Sequence, residues 1–243
     1  MPDLFKSKFS RALMVVVICS LTACVNNSTR ENNLTEESFD VGSLIKTDIG
    51  EVIEVHVKES RNHLREMMVK LYKCNPRELI KSQYAPTIEE NVVRLFDLDH
   101  DWQFSEFEGK YGSEVIFLTF NSDYQGDRVF SLMAGIFYMM MEVYNNKRSF
   151  YLFQAPDAQN LYNLAHNIEI AVWKLGNNRD ESGELFLYSN SLANEESNLS
   201  YERLFGKLIS LQDTMAIIIS ERTNRTITKV IQQMVTAVFL PIL

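Results

Sequence analysis

Twelve consecutive residues carry the densest set of oxygen donors in the chain: Asp97-Leu98-Asp99-His100-Asp101-Trp102-Gln103-Phe104-Ser105-Glu106-Phe107-Glu108. With Asp97 as position 1, Asp97, Asp99, Asp101, Gln103 and Ser105 fall at positions 1, 3, 5, 7 and 9, and Glu108 stands at position 12. Calcium takes roughly six to eight oxygen ligands, so these six side chains are the candidate metal ligands and Ca²⁺ is the candidate cofactor.

The spacing resembles the EF-hand calcium loop, which also follows a helix and carries an apolar residue at position 8, here Phe104. It departs from that pattern at position 6. A left-handed turn there calls for glycine, and this chain has Trp102. The Gly109-Lys110-Tyr111-Gly112 that follows is also a poor start for an exiting helix. The competing expectation is a solvated acidic connection whose Trp102, Phe104 and Phe107 pack inward.

The four histidines are dispersed. His56 and His63 lie seven apart, while His63/Glu66 and His166/Glu169 are spaced i,i+3. Surface pairing, rather than metal binding, is the expectation for the two i,i+3 pairs. No Gly-rich phosphate loop, Gly-x-Ser-x-Gly, His-Glu-x-x-His or Cys-x-x-Cys occurs in the chain. The balance leans away from an enzyme, although residues that converge only in space would escape this reading.

The elements that must position these groups are mostly helical. Leu64, Met67, Met68, Leu71 and Tyr72 mark one face of a helix over 48–73. Asn75 before Pro76 opens a short helix to about 82. Thr87 with Glu90 resembles a capping box and starts a helix to about 96. The stretch 127–144 is apolar nearly all round, which places it in the middle of the fold; its Met and aromatic side chains are expected as core rather than as the lining of a ligand pocket. Asp157 caps a helix that stops near Gly176, and Ser200 caps another in which Leu199 and Leu204 form a staple. Leu204, Leu208, Leu211, Met215 and Ile218 form its packing seam. A last helix is predicted over 226–239. The apolar runs 114–120, 149–154 and 184–188 are too short for periodicity to separate strand from helix. The expected fold class is mainly α: one helical domain of about six to seven helices, with room for a few short strands.

The front of the chain carries a different signal. Lys6, Lys8 and Arg11 precede an uncharged run over 12–21, and Leu21-Thr22-Ala23-Cys24 ends it. That is the layout of a secretory signal peptide, and the run falls well short of the roughly 20 residues a membrane span needs. Leu21-Thr22-Ala23-Cys24 resembles the lipobox of bacterial lipoproteins. The resemblance implies cleavage before Cys24, a diacylglycerol thioether on its sulfur and an N-acyl chain (palmitate or similar) on the new terminus. Val25, not Asp, follows the cysteine, which in that family favours the outer membrane, with the domain facing the periplasm. The expected organisation is signal peptide 1–23, lipidated flexible tether 24–40 and globular domain 41–243.

The formal net charge is −8, and removing the signal makes it more negative. Such a surface argues against nucleic acid and against electrostatic adhesion to anionic lipid. Cys19 leaves with the signal and Cys24 takes the lipid, so Cys74 is the one remaining thiol and is expected in the interior. The functional expectation is a lipid-anchored envelope scaffold or accessory subunit that docks a protein partner. The alternative is a small-ligand or Ca²⁺-binding lipoprotein.

Overall fold

The computed structural model describes residues 48–147, 155–189 and 199–242. Among them are seven α-helices and no strand. They are α1 (Asp48–Cys74), α2 (Pro76–Lys81), α3 (Ile88–Phe96), α4 (Gly112–Thr119), α5 (Arg128–Val143), α6 (Ala158–Asn177) and α7 (Ser200–Thr223), with 3-10 turns at Ser105–Phe107 and Met234–Thr236. No helix among the described residues is long and apolar enough to cross a membrane.

Local chemistry explains most of the boundaries. The Thr87 hydroxyl accepts from Glu90 N–H at 3.1 Å while the Glu90 carboxylate accepts from Thr87 N–H at 3.1 Å, which closes the predicted capping box on α3. Asp157 caps α6 by accepting from Gln159 and Asn160 N–H. Asn75 occupies the cap position of α2 but does not cap it. Its amide donates to the Leu71 and Tyr188 carbonyls and accepts from Tyr188 N–H, each at 2.8 Å, which fastens the 178–189 loop to the α1–α2 corner.

Helix α5 is buried along nearly its whole length and forms the centre of the core. It lies close against α4, because Gly135 leaves no room for a side chain: a Cβ there would stand 2.5 Å from Ile116 Cγ1 and 2.7 Å from the Gly112 carbonyl oxygen. Helix α1 runs antiparallel to α7, since His56 bonds Leu211, Ser60 bonds Gln212 and the Tyr201 hydroxyl bonds the Met67 carbonyl.

Several expectations are corrected. Of the runs left open between strand and helix, 114–119 falls in α4 with Phe120 at its C-terminal cap, and 184–188 contributes only an isolated antiparallel bridge between Leu185 and Arg179. The run 149–154, the signal peptide and the tether lie outside the described residues. Helix α6 passes Gly176 and ends at Asn177. Leu199, not Ser200, sits at the α7 cap, and it is exposed, so it makes no staple. Leu204, Leu208 and Met215 are buried on α7 as predicted, but Leu211 is half-buried and Ile218 exposed, and Gln212 and Ile219 take the buried face instead. Cys74 is exposed, because the buried side of the last α1 turn is taken by Leu71, Tyr72 and the adjoining Asn75.

The largest departure is the predicted helix over 226–239. This segment is an extended strap with one 3-10 turn. Eight of its fourteen residues are β-branched, which weakens helix formation. Side chains of α6 meanwhile supply the hydrogen bonds that a helix would have made internally. Gln159 accepts from Thr228 N–H at 2.7 Å and donates to its carbonyl at 3.0 Å. The Tyr162 hydroxyl accepts from Val230 N–H at 3.0 Å, Asn163 donates to the Pro241 carbonyl at 2.7 Å, and Asn167 both accepts from and donates to Leu240.

Candidate functional site

The 97–108 loop is pinned by aromatic packing. Trp102 donates its indole N–H to Asn146 at 3.0 Å and meets Phe137 and Tyr138 edge-on at 5.2 and 5.1 Å. Phe104 and Phe107 are buried against Phe130. His100 places Nε2 3.0 Å from the Leu95 carbonyl, and its Nδ1 receives Trp102 N–H at 3.1 Å. A carbonyl only accepts and an amide only donates, so His100 is the neutral Nε2–H tautomer. Burial lowers its pKa in the same sense.

Asp101 and Trp102 both adopt left-handed backbone, at φ 42° and 61°. The turn that glycine makes at position 6 of a calcium loop is therefore made here by tryptophan, with the ring contacts and the Asn146 bond holding a conformation that costs a non-glycine residue about 1–2 kcal/mol.

The six predicted ligands face different ways. Asp97 is taken by Arg61 and Arg65 of α1. Asp99 and Asp101 line a recess of about 340 Å³ with His100, Trp102, Phe137 and Met141. Gln103 is exposed. Ser105 bonds the Tyr84 hydroxyl at 2.7 Å, Glu108 pairs with Lys110 at 3.6 Å, and both border a separate cleft of about 460 Å³. Among the described residues, no group of three or more His, Cys, Asp or Glu side chains is placed to hold a metal ion.

That second cleft leads to a cluster that sequence reasoning missed. At the start of α5, Asp127 accepts from Phe130 N–H at 2.9 Å and from the Tyr72 hydroxyl at 2.5 Å. Glu78 of α2, fully buried, accepts from Arg128 N–H at 3.0 Å and from Lys81 at 2.9 Å, and forms an ion pair with Arg77 at 3.3 Å. Two carboxylates thus satisfy the free N–H groups at the positive end of α5. Burial, partly offset by the Tyr72 and Phe130 hydrogen bonds, pushes the Asp127 carboxyl up to about 6, and Tyr72 is raised far above the ordinary tyrosine range by burial and the adjacent Asp127.

Arg128 turns the other way. Its guanidinium donates to the carbonyls of Leu118, Thr119, Asn121 and Tyr124, closing the C-terminal end of α4 and the loop that follows. The face of this cluster toward solvent is a recess of about 390 Å³ that mixes Arg77, Lys81 and Arg128 with Glu78, Asp180 and Glu181. Only Asp127, as the first residue of the apolar stretch 127–144, left a mark in the sequence. Glu78, in a short helix of charged residues, looks like an ordinary surface position there.

A third polar set pins three helices together. His56 Nε2 lies 2.9 Å from the Leu211 carbonyl, and its Nδ1 lies 2.8 Å from the Tyr144 hydroxyl. The Gln212 amide bridges Tyr144 at 3.2 Å and Ser60 at 2.9 Å. Burial lowers the His56 pKa, and Nε2–H donation leaves Nδ1 as the acceptor for the Tyr144 hydroxyl. His166 lies 3.2 Å from Glu169, the i,i+3 pairing predicted for it, whereas Glu66 pairs with Lys70 at 3.7 Å.

These elements define a mainly α protein with its polar groups knotted at helix ends. No protein-family model matches the chain, and neither a curated protein nor a solved structure matches it.

Proposed function

We propose that the chain is a lipid-anchored envelope protein whose helical domain is a non-catalytic scaffold or accessory subunit docking an envelope protein partner. The anchoring half rests on Leu21-Thr22-Ala23-Cys24 behind its basic and apolar run, with Val25 favouring the outer membrane and a periplasmic domain. The docking half is supported by one observation: the side chains best suited to chemistry are spent on one another. Asp127 holds Tyr72, Glu78 holds Lys81, Arg77 and an N–H of α5, His56 holds Tyr144, and Glu106 holds Arg94 at 2.7 Å. Groups committed and buried in this way fix helix positions, as a scaffold requires.

The test is cross-linking in intact cells, followed by affinity purification and mass spectrometry, comparing wild type with Cys24→Ala. One dominant envelope partner that disappears with the anchor is the expected result. A background-level profile for wild type would defeat the docking assignment.

A second reading, calcium binding by Asp97, Asp99, Asp101, Gln103, Ser105 and Glu108, is favoured by the left-handed backbone at Trp102. It requires Asp97 to leave Arg61 and Arg65, and Glu108 to swing across from the other cleft. Calorimetry decides it: heat with millimolar Ca²⁺ that vanishes in Glu108→Gln supports calcium binding, and no heat from wild type ends it.

A further inference from the structure

One face of α6 holds an extended peptide by its backbone. Gln159, Tyr162, Asn163 and Asn167 stand at i, i+3, i+4 and i+8, which aligns them along a single side of the helix. Together they make seven hydrogen bonds to the strap that follows α7, and every one is to its main chain. Gln159 takes Thr228 at both its N–H and its carbonyl, and the Tyr162 hydroxyl takes Val230 in the same way, at 3.0 and 3.3 Å. Asn167 takes Leu240 at both groups, at 2.6 and 2.8 Å, and Asn163 donates to the Pro241 carbonyl.

Such bonds are blind to sequence, because every peptide offers the same carbonyls and, proline apart, the same N–H groups. Main-chain bonds supply the hold, and side-chain pockets supply the choice. Here the choice lies with Ile227, Phe239 and Ile242, which pack against the core, Phe239 meeting Phe117 edge-on at 5.1 Å. Withdrawal of the strap alone would open to water the apolar surface that these three cover. Exchange for a similar segment restores both the bonds and the cover.

The strap is an occupant that can be exchanged. Apart from one 3-10 turn it has no regular secondary structure, so its release breaks no helix or sheet. Residues 224–226, which join it to α7, are all exposed, and Asn224 makes a left-handed turn there at φ 53°. Local openings of this kind cost less than global unfolding.

We propose that this face of α6 is a peptide-binding groove, filled in the free protein by the chain's own strap. The docking partner engages it with an extended segment whose apolar side chains take the places of Ile227, Phe239 and Ile242. The strap is then an internal competitor that keeps the groove closed until that segment displaces it. The groove rests on the docking assignment above and gives the partner its chemistry.

The test is fluorescence anisotropy of a labelled synthetic peptide of residues 226–243 added to the full chain. The tethered strap competes at an effective concentration on the order of millimolar, so wild type should take up micromolar peptide only weakly. Phe239→Ala loosens the tethered strap and leaves α6 unchanged, and it should tighten apparent peptide binding about tenfold. Val230→Pro deletes the N–H that Tyr162 accepts and should act in the same direction, which covers the case in which Phe239→Ala does not fold. Adding Asn167→Ala to either variant should reverse the gain, and a peptide carrying Phe239→Ala should bind about tenfold more weakly. Equal peptide binding by wild type and both release variants, or a gain that survives Asn167→Ala, overturns the groove. So does a release variant that self-associates in light scattering without taking up peptide, because the occupant is then a second copy of the chain. The cross-linking experiment keeps the two assignments apart: a partner in cells without peptide binding refutes the groove alone, and peptide binding without a partner in cells refutes docking and leaves the groove.

Discussion

The two longest irregular segments described, the 97–108 loop and the strap after α7, are built with opposite polarity. The loop turns Phe104 and Phe107 into the core, half-buries Trp102, and leaves Asp99 and Asp101 exposed. The strap is held by polar side chains of α6 and leaves Ile231, Val235 and Val238 outside. In the loop, apolar burial fixes the backbone and charge meets water, the usual arrangement. In the strap, amide hydrogen bonds fix the backbone and Ile227, Phe239 and Ile242 pack against the core, so Ile231, Val235 and Val238 are left outside. Side chains that a fold does not need, yet holds out in an ordered array, are candidates for contact with something else.

Four measurements break or sharpen this contrast. The largest effect is expected from Phe104→Ala, which removes a buried ring packed on His100, Phe107 and Phe130. It should lower unfolding stability by about 3–5 kcal/mol in urea titration. A loss below about 1 kcal/mol would mean that the aromatic anchors do not hold the loop.

The second measurement concerns Asp127, which borders the same cleft as Ser105 and Glu108. Its folded pKa of about 6 lies above the ordinary 3.8, so the folded state binds the proton more tightly. The associated stability is present at low pH and is lost as pH rises through about 6. Relative to Asp127→Asn, wild type should gain about 2 kcal/mol between pH 7.5 and 4.5. A flat difference across that range would place the carboxyl in a more solvated setting than the structure does.

On the strap, Asn167→Ala removes both bonds to Leu240 from a fully buried position. A cost of about 1–3 kcal/mol is expected, with hydrogen exchange accelerating first across 225–242. Uniform acceleration over all helices would show that the strap is part of the global unfolding unit. The smallest effect is expected from Ile231→Ser, which should change stability by less than about 0.5 kcal/mol, because the side chain is almost fully exposed. A larger loss would mean that Ile231 belongs to the core after all, and the inverted polarity of the strap would disappear.

The sequence made most helices legible because their signals are local. The Thr87/Glu90 box, the Asp157 cap and the apolar stripe of α5 each act within a few residues, and each appears where spacing places it. The donor set of 97–108 was legible as a set, but its convergence was not. Which carboxylate meets which arginine depends on α1 lying alongside, and Arg61 and Arg65 are more than 30 residues from Asp97. Glu78 and Tyr72 were invisible for the same reason, since they are joined to Asp127 and Arg128 only by the packing of α1 and α2 against the start of α5.

The strap shows the limit from the other side. Ile227, Val230, Ile231, Met234, Val235 and Val238 satisfy a helical period, yet the backbone is extended, because α6 offers hydrogen bonds that a run of β-branched residues accepts more cheaply than a helix. By itself the sequence determined the helical class, the caps at Thr87 and Asp157, the central position of α5 and the composition of the acidic loop, all of which follow from periodicity and short-range hydrogen bonding. Tertiary structure alone decided the separation of the six donors, the knot of carboxylates at α5 and the outward apolar face of the strap, because each depends on which distant side chain can reach a backbone or charged group.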